Sequence, residues 1–388
     1  MTRRLLTVGH SYVVAQNRRL AHEMALAAGG RWEITVGAPE RLREDLHESV
    51  LIAGADEPCR VCPLGLRLAS SRHLRVFDGR LRRLMAGRWD VVHAWQEPYV
   101  AAGAQIAAAA PAGARLVFAS FQNISKRYPP PLRSFEQRTL TRADGWIAFG
   151  ETVHETLISR RGYDRKPSRV IPPGVDVGIF RPDSGARAAV RARFGWSHRD
   201  LVVGYLGRFV PEKGIGTIIQ ALAKVPRAWK ALFVGRGPLE SELRRFAASH
   251  PGRVQVLTGV DHEAVPAHLC AMDVLCAPSR TTPRWREQFG RMLIEAMACG
   301  VPVIASRSGE IPFVVGDAGV LVAEADVSGW SHAIAELLGD QQIRRDRKAR
   351  GLDRVHARFA WPVVARAHLA FFEDLLARAE PQEGAPCG

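Results

Sequence analysis

The sequence predicts an α/β protein of two doubly wound domains, each a parallel sheet covered by helices. Its 388 residues exceed what one hydrophobic core usually organises, and 47% hydrophobic residues supply apolar material for two cores. Short apolar runs alternate with helical periodicity along most of the chain, as in repeated strand–helix–strand units. The alternation pauses at the prolines between 172 and 182, so we expect the domains to join there.

Apolar runs in each half predict the strands of the two sheets. In the first half they are 5–9, 32–37, 91–95, 116–120, 146–149 and 169–171. In the second half they are 201–206, 231–234, 254–257, 274–277, 301–305 and 320–322. The periodicity between them predicts helices at 17–28, 100–109, 135–142, 153–161, 217–225, 239–250 and 292–299.

A further helix is predicted at 363–379, after Trp361 and Pro362. Its apolar face is too broad to remain in water, so we expect it to return to the first domain. The predicted N-terminal domain is therefore 1–178 completed by helix 363–379, and the C-terminal domain is 179–362. The tail after Pro381 is expected to be disordered.

The net charge is +15, and three explanations compete for it. They are an ordinary solvated surface, a surface that rests on anionic lipid, and a surface that binds nucleic acid. No basic run alternates with aromatic residues as a single-strand platform requires, which argues against the last.

Location is also constrained by the sequence. The sequence contains no run of about 20 apolar residues, which is the length that a helix needs to span a bilayer. The start of the chain is typical of a strand rather than a signal peptide. The six cysteines are scattered, which suits a reducing compartment. Cys59 and Cys62 lack the further ligands that a zinc site needs, so we expect an ordinary loop there. The sequence predicts a cytoplasmic protein.

Two loops that follow strands of the second half carry groups suited to a phosphate-bearing ligand. Arg208 and Lys213 lie in a strand-to-helix turn, where a guanidinium and an ammonium can hold a pyrophosphate. Two solvated cations on a surface turn are the alternative. Gly235 and Gly237 follow the next strand. They either let a ligand approach the backbone closely or simply allow the chain to turn, and by themselves they are weak evidence for a binding site.

A third loop places two glutamates around the start of a helix. Glu287 lies in a polar, proline-bearing loop, and Glu295 lies inside the apolar helix that follows. A carboxylate buried on such a helix needs a partner, for which ribose hydroxyls and an arginine are the candidates. Backbone N–H groups at Gly290, Arg291 and Met292 form an anion site at the helix start. The alternative is a helix cap with a buried salt bridge.

Together these motifs resemble glycosyltransferase family 4, whose members have the GT-B fold. They are, in order, Gly207-Arg208…Glu212-Lys213-Gly214, Gly235-Arg236-Gly237-Pro238, and Glu287-x7-Glu295 followed by Ala-Met-Ala-Cys-Gly-Val-Pro. The run 171–176 resembles the family's interdomain stretch, and 308–312 its turn near the sugar pocket. The resemblance implies two Rossmann-like domains facing across a cleft, in the polysaccharide-type subgroup.

The resemblance also implies a reaction, the retaining transfer of a glycosyl group from a nucleoside-diphosphate sugar, with no metal and no cofactor. Arg208 and Lys213 would hold the donor diphosphate and neutralise its charge as the glycosidic bond breaks. Glu295 would bind the ribose hydroxyls, and Glu287 would face the donor sugar. The remaining donor-side contacts implied are Gly235, Val260, Phe289, Gly290, Arg291 and Met292.

The acceptor side departs from the family pattern. Many members have a second histidine two residues after the position of His93, where this chain has Trp95. With Glu97, the chain resembles a subgroup that has an acidic residue at that position. Glu97 is therefore a catalytic or acceptor-side candidate, with a helix N-terminal charge as the alternative. For His93, the alternative to a role in the site is a histidine buried in the core. Asn123 is the polar contact expected after strand 116–120.

The loop after the first strand is a second departure. Many relatives have paired glycines there, whereas this chain continues from Gly9 into His10, which becomes an acceptor-side candidate. The acceptor implied is a glycan or a lipid-linked saccharide, in polysaccharide or glycolipid biosynthesis. Peripheral attachment to the inner face of the cytoplasmic membrane is an option, and no nucleic-acid partner is expected.

The alternative function is a non-catalytic GT-B protein that binds a sugar nucleotide as a sensor or partner subunit. Degraded motifs would favour that role. Arg208, Lys213, Glu287 and Glu295 are all present, which favours the enzyme.

Overall fold

A computed structural model describes residues 2–43, 48–54, 57–68 and 71–378. They form two compact units. Unit 1 contains the described residues up to Pro172 and from Trp361 onward, and unit 2 is Pro173–Ala360. The boundary thus lies at the paired prolines, ahead of the predicted 178/179. The tail after Pro381, expected to be disordered, lies outside the described residues.

Unit 1 is built on a seven-stranded parallel sheet with the order β11-β10-β9-β8-β1-β2-β5. The strands of the unit are β1 (Arg3–Val8), β2 (Trp32–Pro39), β3 (Arg41–Arg43), β4 (Glu48–Val50), β5 (Arg60–Leu64), β6 (Leu66–Arg67), β7 (Val76–Phe77), β8 (Val91–Ala94), β9 (Arg115–Ser120), β10 (Gly145–Ala148) and β11 (Ser168–Val170). Two short antiparallel pairs, β3 with β4 and β6 with β7, lie outside the sheet.

Helices cover both faces of this sheet. They are α1 (Ala15–Ala28), α2 (Gly79–Met85), α3 (Ala101–Ala109), α4 (Leu132–Arg142) and α5 (Glu151–Ile158). Adjacent residues of β1 belong to different cores: Leu5 packs with Leu20 of α1, and Leu6 packs with Leu81 of α2. A parallel sheet buried on both faces needs such nearly continuous apolar strands.

Unit 2 is built on a six-stranded parallel sheet with the order β14-β13-β12-β15-β16-β17. Its strands are β12 (Val202–Leu206), β13 (Lys230–Val234), β14 (Val254–Leu257), β15 (Val274–Ala277), β16 (Val303–Ser306) and β17 (Val320–Val322). Its helices are α6 (Ser184–Arg193), α7 (Ile215–Leu222), α8 (Glu240–Ala248), α9 (Val265–Cys270), α10 (Arg291–Ala298), α11 (Ile311–Val315), α12 (Val327–Gly339) and α13 (Gln341–Arg354).

The last helix, α14 (Trp361–Ala377), belongs to unit 1 and packs against α1. Val364 and Phe372 are buried in the core that Leu5 and Leu20 share. His368 is also fully buried on this helix. The second unit is therefore inserted between two parts of the first.

The predicted fold class of two parallel, doubly wound sheets is confirmed, and every predicted strand has a counterpart. The prediction of a loop around Cys59 and Cys62 is wrong in part. Cys62 lies in β5, which pairs with β2 at the edge of the sheet. Pro63 is tolerated in β5 because an edge strand has one side without a partner strand. Among the described helices, none combines the length and apolar character needed to cross a bilayer.

Candidate functional site

Four neighbouring strands of unit 2 end at the same edge of the sheet. Loops 207–214, 235–238, 278–290 and 307–310 follow β12, β13, β15 and β16 there. Parallel strands bring the loops at their carboxyl ends together, and ligands of open α/β sheets bind at this edge. The site residues predicted from the second half all lie in these loops, in the loop after β14, or in α10.

Lys213 and Glu287 form a buried ion pair between two of these loops. The Lys213 Nζ donates to Glu287 Oε2 at 2.5 Å, and the Ser279 hydroxyl donates to the same oxygen at 2.7 Å. The Lys213 Nζ also lies 5.2 Å from the centroid of the Trp285 ring. Glu287 is only 6% exposed, so the pair is sheltered from bulk water. The sequence offered no signal for Ser279 or Trp285.

Close backbone packing holds this pair in place. Gly214 has φ +68°, and a Cβ there would lie 1.9 Å from the carbonyl oxygen of Pro278. Gly309 has φ +52°, and a Cβ there would lie 2.0 Å from the carbonyl oxygen of Glu287, which also accepts the Glu310 N–H at 3.1 Å. Both positions require glycine because no side chain fits between the loops.

Arg208 presents an exposed cation at the same edge. Its side chain is 64% exposed, and within the described residues its carboxylate partner is Glu212, 3.9 Å away. Its backbone is fixed, because the Tyr205 hydroxyl donates to the Arg208 carbonyl oxygen at 2.7 Å. The loop thus presents a guanidinium on an anchored backbone.

The two glycines after β13 serve the packing of the loops themselves. A Cβ on Gly235 would lie 1.9 Å from the Gly207 carbonyl oxygen, and one on Gly237 would lie 2.5 Å from that of Phe209. The Phe209 N–H donates to the Arg236 carbonyl oxygen at 2.8 Å. From sequence, the motif is interpreted as either a site of ligand approach or a turn, and these contacts support the turn.

Helix α10 begins at the edge where the loops meet. Gly290 precedes it with φ +82°, Phe289 is buried, and Arg291 is exposed in the first turn. Met292 is half-buried, and Val260, after β14, is half-buried against the unit 2 core.

Glu295 is the buried carboxyl group of α10. Among the described residues no side chain donates a hydrogen bond to it, so the buried salt bridge considered from sequence does not form there. Burial raises the pKa of Glu295 to about 7, and the positive charge of Arg291 opposes that shift. Such a group gains from a ligand that donates hydrogen bonds.

In unit 1, Glu97 links the loops after β8 and β9. Its Oε2 accepts the Ser120 hydroxyl at 2.6 Å, and its Oε1 accepts the Phe121 N–H at 2.8 Å. Burial raises the pKa of Glu97 to about 7, against those two hydrogen bonds. Asn123, a few residues further along, is 1% exposed.

The two histidines of interest in unit 1 are buried. His10 begins a short 3₁₀ turn after β1 and packs on Phe77, with ring centroids 4.7 Å apart. Burial lowers the pKa of His10 to about 3, and Arg75 adds to the shift. His93 is fully buried, and its Nδ1 lies 3.1 Å from the Thr7 hydroxyl.

One cluster brings metal-ligating atoms together: His22, Glu57 and Cys59, with one atom of each within 4.8 Å of the others. Glu57 is already held by Arg18 at 2.8 Å and by His22 Nε2 at 2.8 Å. A guanidinium on the central carboxylate disfavours a cation there. The expectation of a metal-free protein stays a prediction.

Comparison with known proteins identifies the family. The family described as Glycosyltransferase Family 4 matches residues 18–178, and the one described as Glycosyl transferases group 1 matches 200–340. A GDP-mannose-dependent alpha-(1-6)-phosphatidylinositol monomannoside mannosyltransferase of Mycobacterium tuberculosis is 34% identical over 313 residues, 76% of this chain and 78% of that protein. The chain belongs to glycosyltransferase family 4.

Other members of family 4 match over shorter stretches. The D-inositol 3-phosphate glycosyltransferase of Mycolicibacterium smegmatis is 33% identical over 258 residues, 63% of this chain and 56% of that protein. This chain thus spans about half the length of the D-inositol 3-phosphate glycosyltransferases that it matches.

Solved structures show the same fold. HepE of Anabaena in complex with UDP and glucose has a TM-score of 0.71 at 19% identity, over 96% of this chain and all of that one. Sucrose-phosphate synthase of Thermosynechococcus elongatus has a TM-score of 0.71 at 22% identity, over 97% of this chain. The predicted GT-B fold with Rossmann-like domains is confirmed.

Proposed function

We propose that this chain transfers a glycosyl group from a nucleoside-diphosphate sugar to a glycan or lipid-linked saccharide, with retention of anomeric configuration and without a metal or cofactor. The observation that carries the proposal is the buried Lys213–Glu287 pair at the carboxyl edge of the unit 2 sheet. Arg208 extends from the same loop as Lys213.

The pair supports this chemistry because of where it places charge. As the bond between the anomeric carbon and the diphosphate oxygen breaks, negative charge grows on the diphosphate, where Lys213 and the exposed Arg208 would neutralise it. The acceptor oxygen forms the new bond to the anomeric carbon, and its proton passes to a departing phosphate oxygen. Glu287 would hold Lys213 and face the sugar.

The buried carboxyl of Glu295 supports a nucleoside on the same edge. Ribose hydroxyls would donate the hydrogen bonds that Glu295 receives from no described side chain. Hydrogen bonds to the ionised form lower a carboxyl pKa, so donor binding would favour the carboxylate.

The relatives indicate where to look for substrates. The mannosyltransferase named above is GDP-mannose-dependent, and its name gives a phosphatidylinositol-linked acceptor, so GDP-mannose is the first donor to test. UDP-glucose is the second, because HepE was solved with UDP and glucose. A lipid-linked acceptor would place the protein at the inner membrane face, with no nucleic-acid partner.

Calorimetry and turnover with GDP-mannose, UDP-glucose and ADP-glucose test the donor half. We expect one of them to bind, and Lys213→Ala to weaken its binding at least tenfold and slow transfer by about 10²–10³-fold. Lys224→Ala is the matched control, since Lys224 is exposed just after α7, away from the site. Unchanged donor binding by Lys213→Ala, or binding of none of the three, would count against the proposal.

The sensor or partner-subunit alternative predicts binding without transfer. Glu287→Ala would then leave the cellular glycan unchanged, whereas the enzyme proposal expects its loss.

A further inference from the structure

Unit 1 contains a cavity of about 370 Å³ beside the loops that follow β8 and β9. This volume lies in the range of about 300–1,000 Å³ that small-molecule sites occupy. None of the acceptor-side candidates His10, Glu97 and Asn123 lines it. We call it the tyrosine pocket, after its polar lining: His73, Tyr99, Gln122, Lys126, Arg127 and Tyr128.

The walls of the tyrosine pocket are firmly held. Tyr99 and Tyr128 stack with ring centroids 4.3 Å apart at 19°. The Arg160 guanidinium lies 4.9 Å from the Tyr128 ring centroid and donates to the Lys126 carbonyl oxygen at 2.5 Å. The Gln122 amide donates to the Tyr128 hydroxyl at 3.3 Å. The stack covers one face of each ring, and the Gln122 Oε1 accepts the Ile124 N–H at 3.2 Å. The walls therefore offer a ligand the two tyrosine hydroxyls and the hydrogen-bonding capacity that the Gln122 amide retains.

The rim of the pocket is positively charged. Lys126 and Arg127 are exposed, and in the part of the chain that the structure describes neither is paired with a carboxylate. Two acids lie near the loop: Glu136 is occupied by Arg160 at 2.7 and 2.8 Å, and the buried Glu97, within electrostatic reach of Lys126, accepts hydrogen bonds from Ser120 and Phe121. His73 adds an imidazole to the lining. No carboxylate is among the described residues that line the pocket.

We infer that the tyrosine pocket binds a phosphate-bearing sugar or polyol, with the phosphate at Lys126 and Arg127 and the hydroxyls at Tyr99, Tyr128 and Gln122. A lysine and an arginine side by side suit a phosphate monoester, and hydroxyl and amide groups suit a polyol. A neutral saccharide would make no use of either cation. The inference rests on the proposed function, for which it names the chemical class of the acceptor.

Titration calorimetry of the full chain tests the inference without any donor. The probes are glucose 6-phosphate and myo-inositol 1-phosphate, with glucose, myo-inositol and inorganic phosphate for comparison. We expect a sugar or polyol phosphate to bind at least tenfold more tightly than its uncharged parent and than inorganic phosphate. The double variant Lys126→Ala/Arg127→Ala should weaken that binding at least tenfold, and Tyr128→Phe severalfold.

The matched control is Arg82→Ala/Arg83→Ala, which removes the same charge from exposed positions of α2 in the same unit. It should bind the probes as the unaltered chain does. Equal loss in both double variants would reduce the effect to overall charge and overturn the inference. So would unchanged binding by Lys126→Ala/Arg127→Ala, or equal affinity for inorganic phosphate.

Phospholipid vesicles distinguish whether the bound sugar or polyol phosphate is a lipid headgroup or a free molecule. Binding of the soluble phosphates together with sedimentation on phosphatidylinositol in phosphatidylcholine, both lost in Lys126→Ala/Arg127→Ala, would assign the pocket to a lipid headgroup. Binding of soluble phosphates alone would assign it to a free acceptor, and binding of vesicles alone would overturn the inference. Nucleotide-sugar binding at unit 2 is measured separately, so failure of the donor site and failure of this pocket give different results.

Discussion

At the scale of single residues, Glu295 combines burial with an ionisable group that no described side chain satisfies. Burial raises its pKa from 4.5 to about 7, which means that the folded protein binds the proton more tightly than the unfolded chain does. Glu295 therefore stabilises the fold least when it is ionised. Its contribution is most favourable below about pH 4.5 and declines as pH rises towards 7.

We predict that Glu295→Gln raises the free energy of unfolding at pH 8 by about 1–3 kcal/mol and changes it little near pH 4.5. The neutral amide removes the cost of burying a charge at the higher pH. Urea unfolding of both proteins at the two pH values measures the difference. Glu336→Gln, at an exposed position of α12, is the control and should show no such dependence. An equal effect of Glu295→Gln at both pH values would contradict the prediction.

Lys213 and Glu287 differ from Glu295, because each of these charged groups has the other as its hydrogen-bonded partner, at 2.5 Å. Removing one partner leaves a buried charge unpaired, which typically costs about 3–5 kcal/mol. Lys213→Met should therefore destabilise unit 2 more than the exposed Arg208→Met does, by about 2 kcal/mol or more in urea unfolding. Equal destabilisation by the two would show that the pair contributes no stability.

At the scale of elements, the loop between β12 and α7 depends on one glycine. Gly214 has a left-handed backbone, and the carbonyl of Pro278 occupies the space of a Cβ. We predict that Gly214→Ala costs about 1–2 kcal/mol for the backbone alone and more for the clash, and that donor binding falls with it. Thermal unfolding and calorimetry measure both effects.

Gly216, two residues further along, is the matched control. It lies inside α7, and among the described residues no atom outside its own helix backbone comes within 4 Å of the position that a Cβ would take. Alanine is the better helix former, so Gly216→Ala should be neutral or stabilise the protein by up to about 1 kcal/mol. Equal destabilisation by both variants would show that helix α7, rather than the loop contact, decides the outcome.

How far the sequence alone could go depends on the range of each interaction. The strands were predictable because a strand buried on both faces is a local apolar run, as in 91–95 or 274–277. β5 was missed because its proline and its cysteine are not typical of a strand, and because its partner, β2, lies well before it in the sequence. The Lys213–Glu287 contact and the tyrosine pocket could not be predicted from spacing, because each joins segments that only the folded loops bring together.

The resemblance to family 4 supplied what spacing could not. It placed Arg208, Lys213 and Glu287 in one site before any distance was known, and the structure puts Lys213 and Glu287 in contact. On the acceptor side, where the sequence departs from the family, it gave Glu97 and Asn123 as contacts but assigned no role to the side chains that line the tyrosine pocket.

At the scale of the whole molecule, the first unit depends on a helix from the other end of the chain. Phe372 of α14 is fully buried in the core that contains Leu5 and Leu20. We predict that Phe372→Ala destabilises unit 1 by about 3–5 kcal/mol. Arg366→Ala, exposed on the same helix, should stay within about 0.5 kcal/mol of the unaltered chain.

Hydrogen exchange followed by mass spectrometry locates the effect of Phe372→Ala. Peptides of α1, β1 and β8 should exchange faster, and peptides of β12, β13 and β15 should keep their rates. Faster exchange in both sets would contradict the division of the chain into two units.

The position of α14 has a consequence for synthesis on the ribosome. Every strand and helix of unit 2 is contiguous in sequence, so that unit can fold as soon as it emerges. Unit 1 must wait for α14 while all of Pro173–Ala360 is translated, an interval of about ten seconds or more at roughly 5–20 residues per second. During that time the apolar side of α1 lacks the cover that α14 gives it in the finished fold. The unit whose strands are made first would thus be the unit that is completed last.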